Sequence, residues 1–180
     1  MFAPSRSLNA DQKLAQRTFL DAYQGEILGP SKIRLVIPPN STFLTLLQGA
    51  QALAPTLYKL DAVWPSRLEK WAALSAFNES RKNETTLTID GVFAGSEWKT
   101  RLEQEKFIHD QGRRLGSLPK VAAAHGVYFI ATGTDFFNGR IVRVQEPSSL
   151  YYGDGGLSLM NEGDFIDTCR YQHVVAAVEL

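Results

Sequence analysis

Three histidines, one cysteine, and clusters of acidic, basic and aromatic residues are what this 180-residue chain offers for chemistry. His109, His125 and His173 lie far apart, and none falls in a His-x-x-x-His or His-Glu-x-x-His pattern. Those patterns put two metal ligands on one helical face, so no local zinc site is expected. His109 is expected to pair with Glu105 on a charged helix. Cys169 sits in Asp167-Thr168-Cys169-Arg170. A lone thiol forms no internal disulfide, and a nucleophilic one needs a histidine or cation to lower its pKa. His173 is the local candidate, but the segment reads as a strand, where that spacing does not bring the two together. Cys169 is therefore expected to be a small buried hydrophobe. Asp154, Glu162, Asp164 and Asp167 form an acidic, glycine-interleaved cluster. Calcium loops need oxygen ligands at alternating positions closing on a glutamate. The ligands between Asp154 and Glu162 are missing, so these are read as turn residues.

Two further groups suggest ligands of other kinds. Gln111-Gly112-Arg113-Arg114-Leu115-Gly116-Ser117, with Lys120 close behind, is a basic loop. Backbone amides and the guanidinium groups of Arg113 and Arg114 are able to hold a phosphate. No Gly-Lys-Ser/Thr follows, so it is not a P-loop. A helix C-terminus explains the same residues, since cations offset the dipole there and glycine caps the end. Phe136-Phe137 and Tyr151-Tyr152 are paired aromatics beside turns. Neighbours on a strand face opposite ways, so one of each pair is expected outside. Phe136, Tyr151 and Tyr152 thus become candidate interface anchors or stacking platforms.

Glu79-Ser80 follows an apolar stripe in Ala76-Phe77-Asn78-Glu79-Ser80-Arg81-Lys82-Asn83. The pair resembles the catalytic Glu-Ser of lysozyme-like lytic transglycosylases. That resemblance implies Glu79 as a buried acid of raised pKa that protonates a glycosidic oxygen. It covers only this short segment. The Gly-Leu-Met-Gln those enzymes carry next is replaced by Thr85 to Ile89, which reads as a strand.

Composition narrows the classes. The hydrophobic fraction is 44% and the charged fraction 21%, ordinary values for a globular domain. Nineteen basic residues offset nineteen acidic ones. A nucleic-acid binder normally shows a basic surplus, so that class is disfavoured, and zero net charge eases association. Met1 to Gln12 is polar, without an apolar run of signal-peptide length, and no stretch is long enough to span a membrane. Asn40-Ser41-Thr42, Asn78-Glu79-Ser80 and Asn83-Glu84-Thr85 match glycosylation triplets, which have no meaning without a secretory route. A cytoplasmic protein without cofactor is expected.

Periodicity supplies the elements. A helix is expected over Asp11 to Leu28, with Ala15, Phe19, Ala22, Tyr23 and Ile27 on one face and Gly29-Pro30 as its stop. Lys32 to Ile37 alternates as a strand. Phe43, Leu46, Leu47, Ala50 and Leu53 mark an amphipathic helix capped by Asn40 or Ser41 and ended by Pro55. Ser66 to Glu69 fits a capping box, with Leu68, Trp71, Leu74 and Phe77 as the buried stripe. Thr85 to Ile89 is a strand turning at Asp90-Gly91. Ser96 to Gln111 is a charged helix, with Glu97–Arg101 and Lys99–Glu103 pairs outside and Trp98, Leu102 and Ile108 inside. Val127 to Ala131 reads as a strand, Asn138-Gly139 as a hairpin turn, and Arg140 to Val144 as the returning strand. Pro147 to Gly156 reads as a loop. Leu157 to Met160 and Tyr171 to Val178 are further strands, the last expected to be paired near Leu180.

These elements predict one α+β domain, 1–180, helix-rich over 1–115 and strand-rich over 116–180. About four helices would pack on one face of a mostly antiparallel sheet of about four to six strands. The functional expectation is a non-catalytic structural or adaptor protein acting through protein contacts in an oligomer or assembly. A glycan hydrolase using Glu79, and phosphate or nucleic-acid binding at Arg113-Arg114, are the alternatives.

Overall fold

Alternation in Lys32–Ile37 and Thr85–Asp90 builds the centre of the sheet. These strands, β2 and β3, pair antiparallel with Ile33 opposite Ile89 and Leu35 opposite Leu87. All four side chains are buried, so one face is committed to the core. The computed structural model describes residues 9–54, 75–80, 82–146, 148–153, 156–161 and 174–180. Within them β1 (Glu26–Gly29) flanks β2, while β9 (Val178–Glu179) pairs with both β3 and β4 (Arg114–Leu115), giving the order β1-β2-β3-β9-β4. A second ladder runs β7-β6-β5-β8, from Gly156–Asn161, Ser148–Gly153, Ile141–Arg143 and Val174–Ala176. Its β5–β8 pair is parallel and its other pairs antiparallel. Only Ala177 separates β8 from β9. Its N–H donates to the Arg143 carbonyl and its own carbonyl accepts from Gly116, so the two ladders meet along one buried strand.

The helices are α1 (Ala10–Tyr23), α2 (Phe43–Leu53), the single turn α3 (Ser75–Asn78), α4 (Arg101–Asp110) and α5 (Leu118–Thr132). The fold is α+β, with helices packed on a mostly antiparallel sheet. At its centre lies α5, touching α1, α2, β2, β3 and β6. Every residue from Val121 to Ile130 is buried. A helix apolar all round loses the one-sided stripe that reveals amphipathic helices.

That absence accounts for the main departure from expectation. Val127 to Ala131 is helix, not strand, so the most enclosed helix lies in the part expected to be strand-rich. Its start is fixed by Pro119 in the first turn and by Glu146, whose carboxylate accepts the Leu118 N–H at 2.6 Å. Gly133, at φ 69°, ends it in the left-handed conformation. Asn138 and Gly139 do take positive φ, 53° and 71°, but they join α5 to β5 and close no hairpin.

Other boundaries move for local reasons. Gln24, left-handed at φ 43°, ends α1, so Ile27 lies on β1. Thr42, not Asn40 or Ser41, caps α2, although its predicted stripe of Phe43, Leu46, Leu47 and Ala50 is buried. Thr100 and Glu103 form a capping box that starts α4 at Arg101. Glu97 then pairs with Arg140 and Arg101 with Glu105, replacing the expected Glu97–Arg101 and Lys99–Glu103 pairs. His109 stands exposed beside Asp110 because Glu105 is taken. Ile108 is buried as expected, but Trp98 and Leu102 face out, and Gln104 takes the inner position. The expected loop over Pro147 to Gly156 contains β6, whose Gly153 pairs with Gly156 of β7. The Ser66 capping box, with Leu68, Trp71 and Leu74, lies outside the described residues, as do Tyr171 to His173. Phe77, at the end of that stripe, is buried.

Candidate functional site

Among the described candidates, His125 is brought beside a carboxylate, that of Asp135, and Glu79 is not. His125 lies midway along α5 with no exposed surface, and its Nε2 is 3.6 Å from Asp135 Oδ1. That is an ion-pair separation, too long for a hydrogen bond. Asp135 is held by the turn it shapes, its Oδ1 accepting the Phe137 N–H at 2.9 Å and its Oδ2 the Gly139 N–H. Around the imidazole stand Phe137 at 4.9 Å, Tyr152 at 5.0 Å and Phe129 at 6.0 Å, centroid to centroid. A histidine on a carboxylate is the orientation a general base uses, but this ring is enclosed by aromatics and meets no solvent. The geometry suits a neutral, buried imidazole.

Burial holds the His125 pKa below its ordinary value of 6.5, with the Asp135 carboxylate opposing. Burial first, and the Asp135 charge second, push the Tyr152 phenol up to about 12. The signs follow from which state binds the proton more tightly. The unfolded chain protonates His125 more readily, so its contribution is whole above pH 6.5 and drains as pH falls. The folded chain keeps the Tyr152 proton, so that contribution is whole below the ordinary value of 10.0 and is lost towards 12. Tyr23, raised by burial, adds to the alkaline side. Melting temperature is expected to fall on both sides of that interval. Tyr152→Phe should soften the alkaline fall, and a wild type more stable at pH 5 than at pH 7 would contradict the burial argument.

On the opposite face of β5 lies a second polar group, buried and unforeseen. Arg143 has no exposed surface, and its Nη1 donates at 3.0 Å both to the Lys99 carbonyl and to Gln104 Oε1. Gln104 Nε2 donates to the carbonyls of Ser96 and Val174, and the Ala176 N–H donates to Ser96 Oγ. The loop before α4 is thereby fixed to β5 and β8. Trp98 rides on this loop, between Glu97, paired with Arg140, and Lys99, bonded to Arg143. It is 59% exposed and left-handed at φ 57°. Leu102, on the first turn of α4, is 77% exposed. Tyr151, opposite Ile141 on the same face of the ladder as Arg143, is 37% exposed.

The remaining candidates are dispersed. Glu79 is exposed just past α3, in water rather than an apolar pocket. Arg113 is exposed, whereas Arg114 and Lys120 both bond Glu179, at 2.8 Å and 2.6 Å. A phosphate at that loop would compete with this carboxylate. Phe136 and Phe137 are both fully buried, since they lie in a turn folded beneath α5 rather than on a strand; the expectation of one outside is corrected. Cys169, His173 and the acidic cluster lie outside the described residues. Among the described residues no group of acidic, histidine or cysteine side chains is set to hold a metal, and no helix is long and apolar enough to cross a membrane. An open groove of about 640 Å³ runs between α1 and α2, lined by Leu14, Ala15, Phe19, Gly49 and Leu53 among others.

One signal for the His125 pair was present in the sequence: a lone histidine inside the otherwise apolar and aromatic run from Val121 to Ala131. None marked Arg143, whose partners are 39 and 44 residues away. Comparison with protein-family models, with curated proteins and with solved structures gave no match for this chain.

Proposed function

We propose that the protein works by contact rather than by chemistry, as a structural or adaptor subunit of an assembly in the cytoplasm or a particle built there. The observation that carries this reading is Trp98. A large aromatic left in water forgoes roughly 25 cal/mol for each Å² of apolar surface it does not bury. A bulky residue in the left-handed region costs of order 1–3 kcal/mol more and persists only where its surroundings impose it. Here the Glu97–Arg140 pair and the bond from Arg143 of β5 to the Lys99 carbonyl impose it. Tryptophan is also the residue most enriched at the energetic centres of protein interfaces. Leu102 and Tyr151 are further large apolar side chains left exposed. The enclosure of the His125–Asp135 pair favours contact over catalysis.

Trp98→Gly separates a contact role from a folding role. Glycine relieves the left-handed strain, so the variant should melt no lower than the wild type, and by about 1 kcal/mol it should be more stable. Photo-cross-linking from position 102 in cells should give a discrete adduct that Trp98→Gly abolishes. A discrete adduct unchanged in the variant, or none in the wild type, counts against the proposal. So does a Trp98→Gly protein that melts several degrees lower.

A further inference from the structure

Asp135 performs two tasks at once. Its carboxylate holds the 135–139 turn by accepting the Phe137 and Gly139 amides, and it is also the charge nearest His125. The turn in turn buries Phe136 and Phe137, whose rings pack against Tyr128 and His125. On the other side of the imidazole, Tyr152 ties β6 to α5. Neutral His125 is compatible with this closed arrangement. A cation there would need water or a closer carboxylate, because an imidazolium enclosed by three rings has lost its hydration. The way out runs past Asp135, which is 17% exposed, and past the partly exposed Tyr152.

We infer that His125 is an acid-sensitive latch, whose protonation releases the 133–140 turn from α5 and uncovers Phe136 and Phe137. Three elements meet at the imidazole: α5 itself, the turn with Asp135, and β6 with Tyr152. Tyr152 keeps its proton throughout the acid range, and among the described residues Asp135 is the carboxylate that faces His125. Asp90, at the strand end behind Phe136, accepts the Val92 N–H and faces Lys32, and so belongs to a separate pair. The turn is the part that moves, since α5 is buried from Val121 to Ile130, whereas the turn is held by two rings and one carboxylate at α5, by Phe136 over Gly91 and by the Arg140–Glu97 pair at its far end. Opening would expose two adjacent phenylalanines, a surface suited to another apolar face. The use of that surface for contact rests on the function proposed above; the opening does not.

Hydrogen exchange on the whole chain at pH 7.5 and 5.5, corrected for the intrinsic rate, tests the opening. Protection should fall several-fold, up to about tenfold for one proton taken up at the ordinary value of 6.5, over residues 135–140 and 149–152 while the β2–β3 pairing stays protected. In His125→Phe the acid-induced change should disappear. Should that variant not fold, titration of the His125 ring protons in the wild type serves instead, since the loss of protection must follow that titration. Asp135→Asn removes the charge that steadies the imidazolium in the closed state and weakens the hold on the Phe137 and Gly139 amides, so its opening should move to higher pH. Protection unchanged at pH 5.5, lost evenly over the whole chain, or lost equally in His125→Phe would overturn the latch. These outcomes are read independently of the cross-link at position 102, so the latch and the contact reading fail separately.

Discussion

Arg143→Ala is expected to lower stability by about 3–5 kcal/mol, a large share of the roughly 5–15 kcal/mol by which folded domains are stable. The guanidinium is enclosed and satisfies the Lys99 carbonyl and Gln104 Oε1. Removing it leaves those acceptors buried and unbonded, at roughly 1–3 kcal/mol each, and opens a cavity where a long side chain stood. For a chain of this length the melting temperature should fall by roughly 6–20 °C. Arg143→Lys keeps the charge but not the planar fork that reaches two acceptors, so it should lose an intermediate amount. Gln104→Ala introduced into Arg143→Ala should cost less than it does in the wild type, because the two share a bond. Urea unfolding followed by circular dichroism measures all of these. A loss below about 1 kcal/mol for Arg143→Ala would mean that the loop before α4 is held by something other than this network.

That network also marks where reading the sequence stops. The alternation of Ile33, Leu35 and Ile37, and the spacing of Phe43, Leu46, Leu47 and Ala50, were legible because each lies on the boundary between core and water. A boundary writes itself into sequence as periodicity. Where it vanishes the signal goes with it. α5 is surrounded by protein, so Val121 to Ile130 shows no period and its second half passes for a strand. Arg143 is the opposite case. In β5 it alternates as a solvent-facing arginine would, and only the descent of the loop before α4 onto that face encloses it. Trp98 and Leu102 were assigned inside as apolar positions of one helix, although the capping box at Thr100 and Glu103 leaves Trp98 before the helix, and Gln104 and Ile108, not Leu102, form its inner face. The aromatic pair at 136–137 was placed beside the right turn but on the wrong side of the surface, because a turn following a buried helix folds inward.

The burial of Phe136 leads to the second large effect. Phe136→Ala is expected to cost about 3–5 kcal/mol, the usual range for an enclosed phenylalanine. Its ring is packed against Tyr128 at 5.0 Å and Phe137 at 5.7 Å. Its edge also lies over Gly91, where an added Cβ would stand 2.5 Å from Cε1 and 2.7 Å from Cδ1. That spacing is impossible without displacing a fully buried ring, so Gly91→Ala should itself cost about 1–3 kcal/mol. The two losses should not add. Once the ring is gone the new methyl has room and fills part of the cavity, so the double variant should recover about 0.5–3 kcal/mol relative to the sum. Strict additivity would show that the Phe136 ring is not what an added methyl at Gly91 meets. A Phe136→Ala protein as stable as the wild type would return Phe136 to the list of surface anchors and remove the enclosed surface on which the acid latch depends.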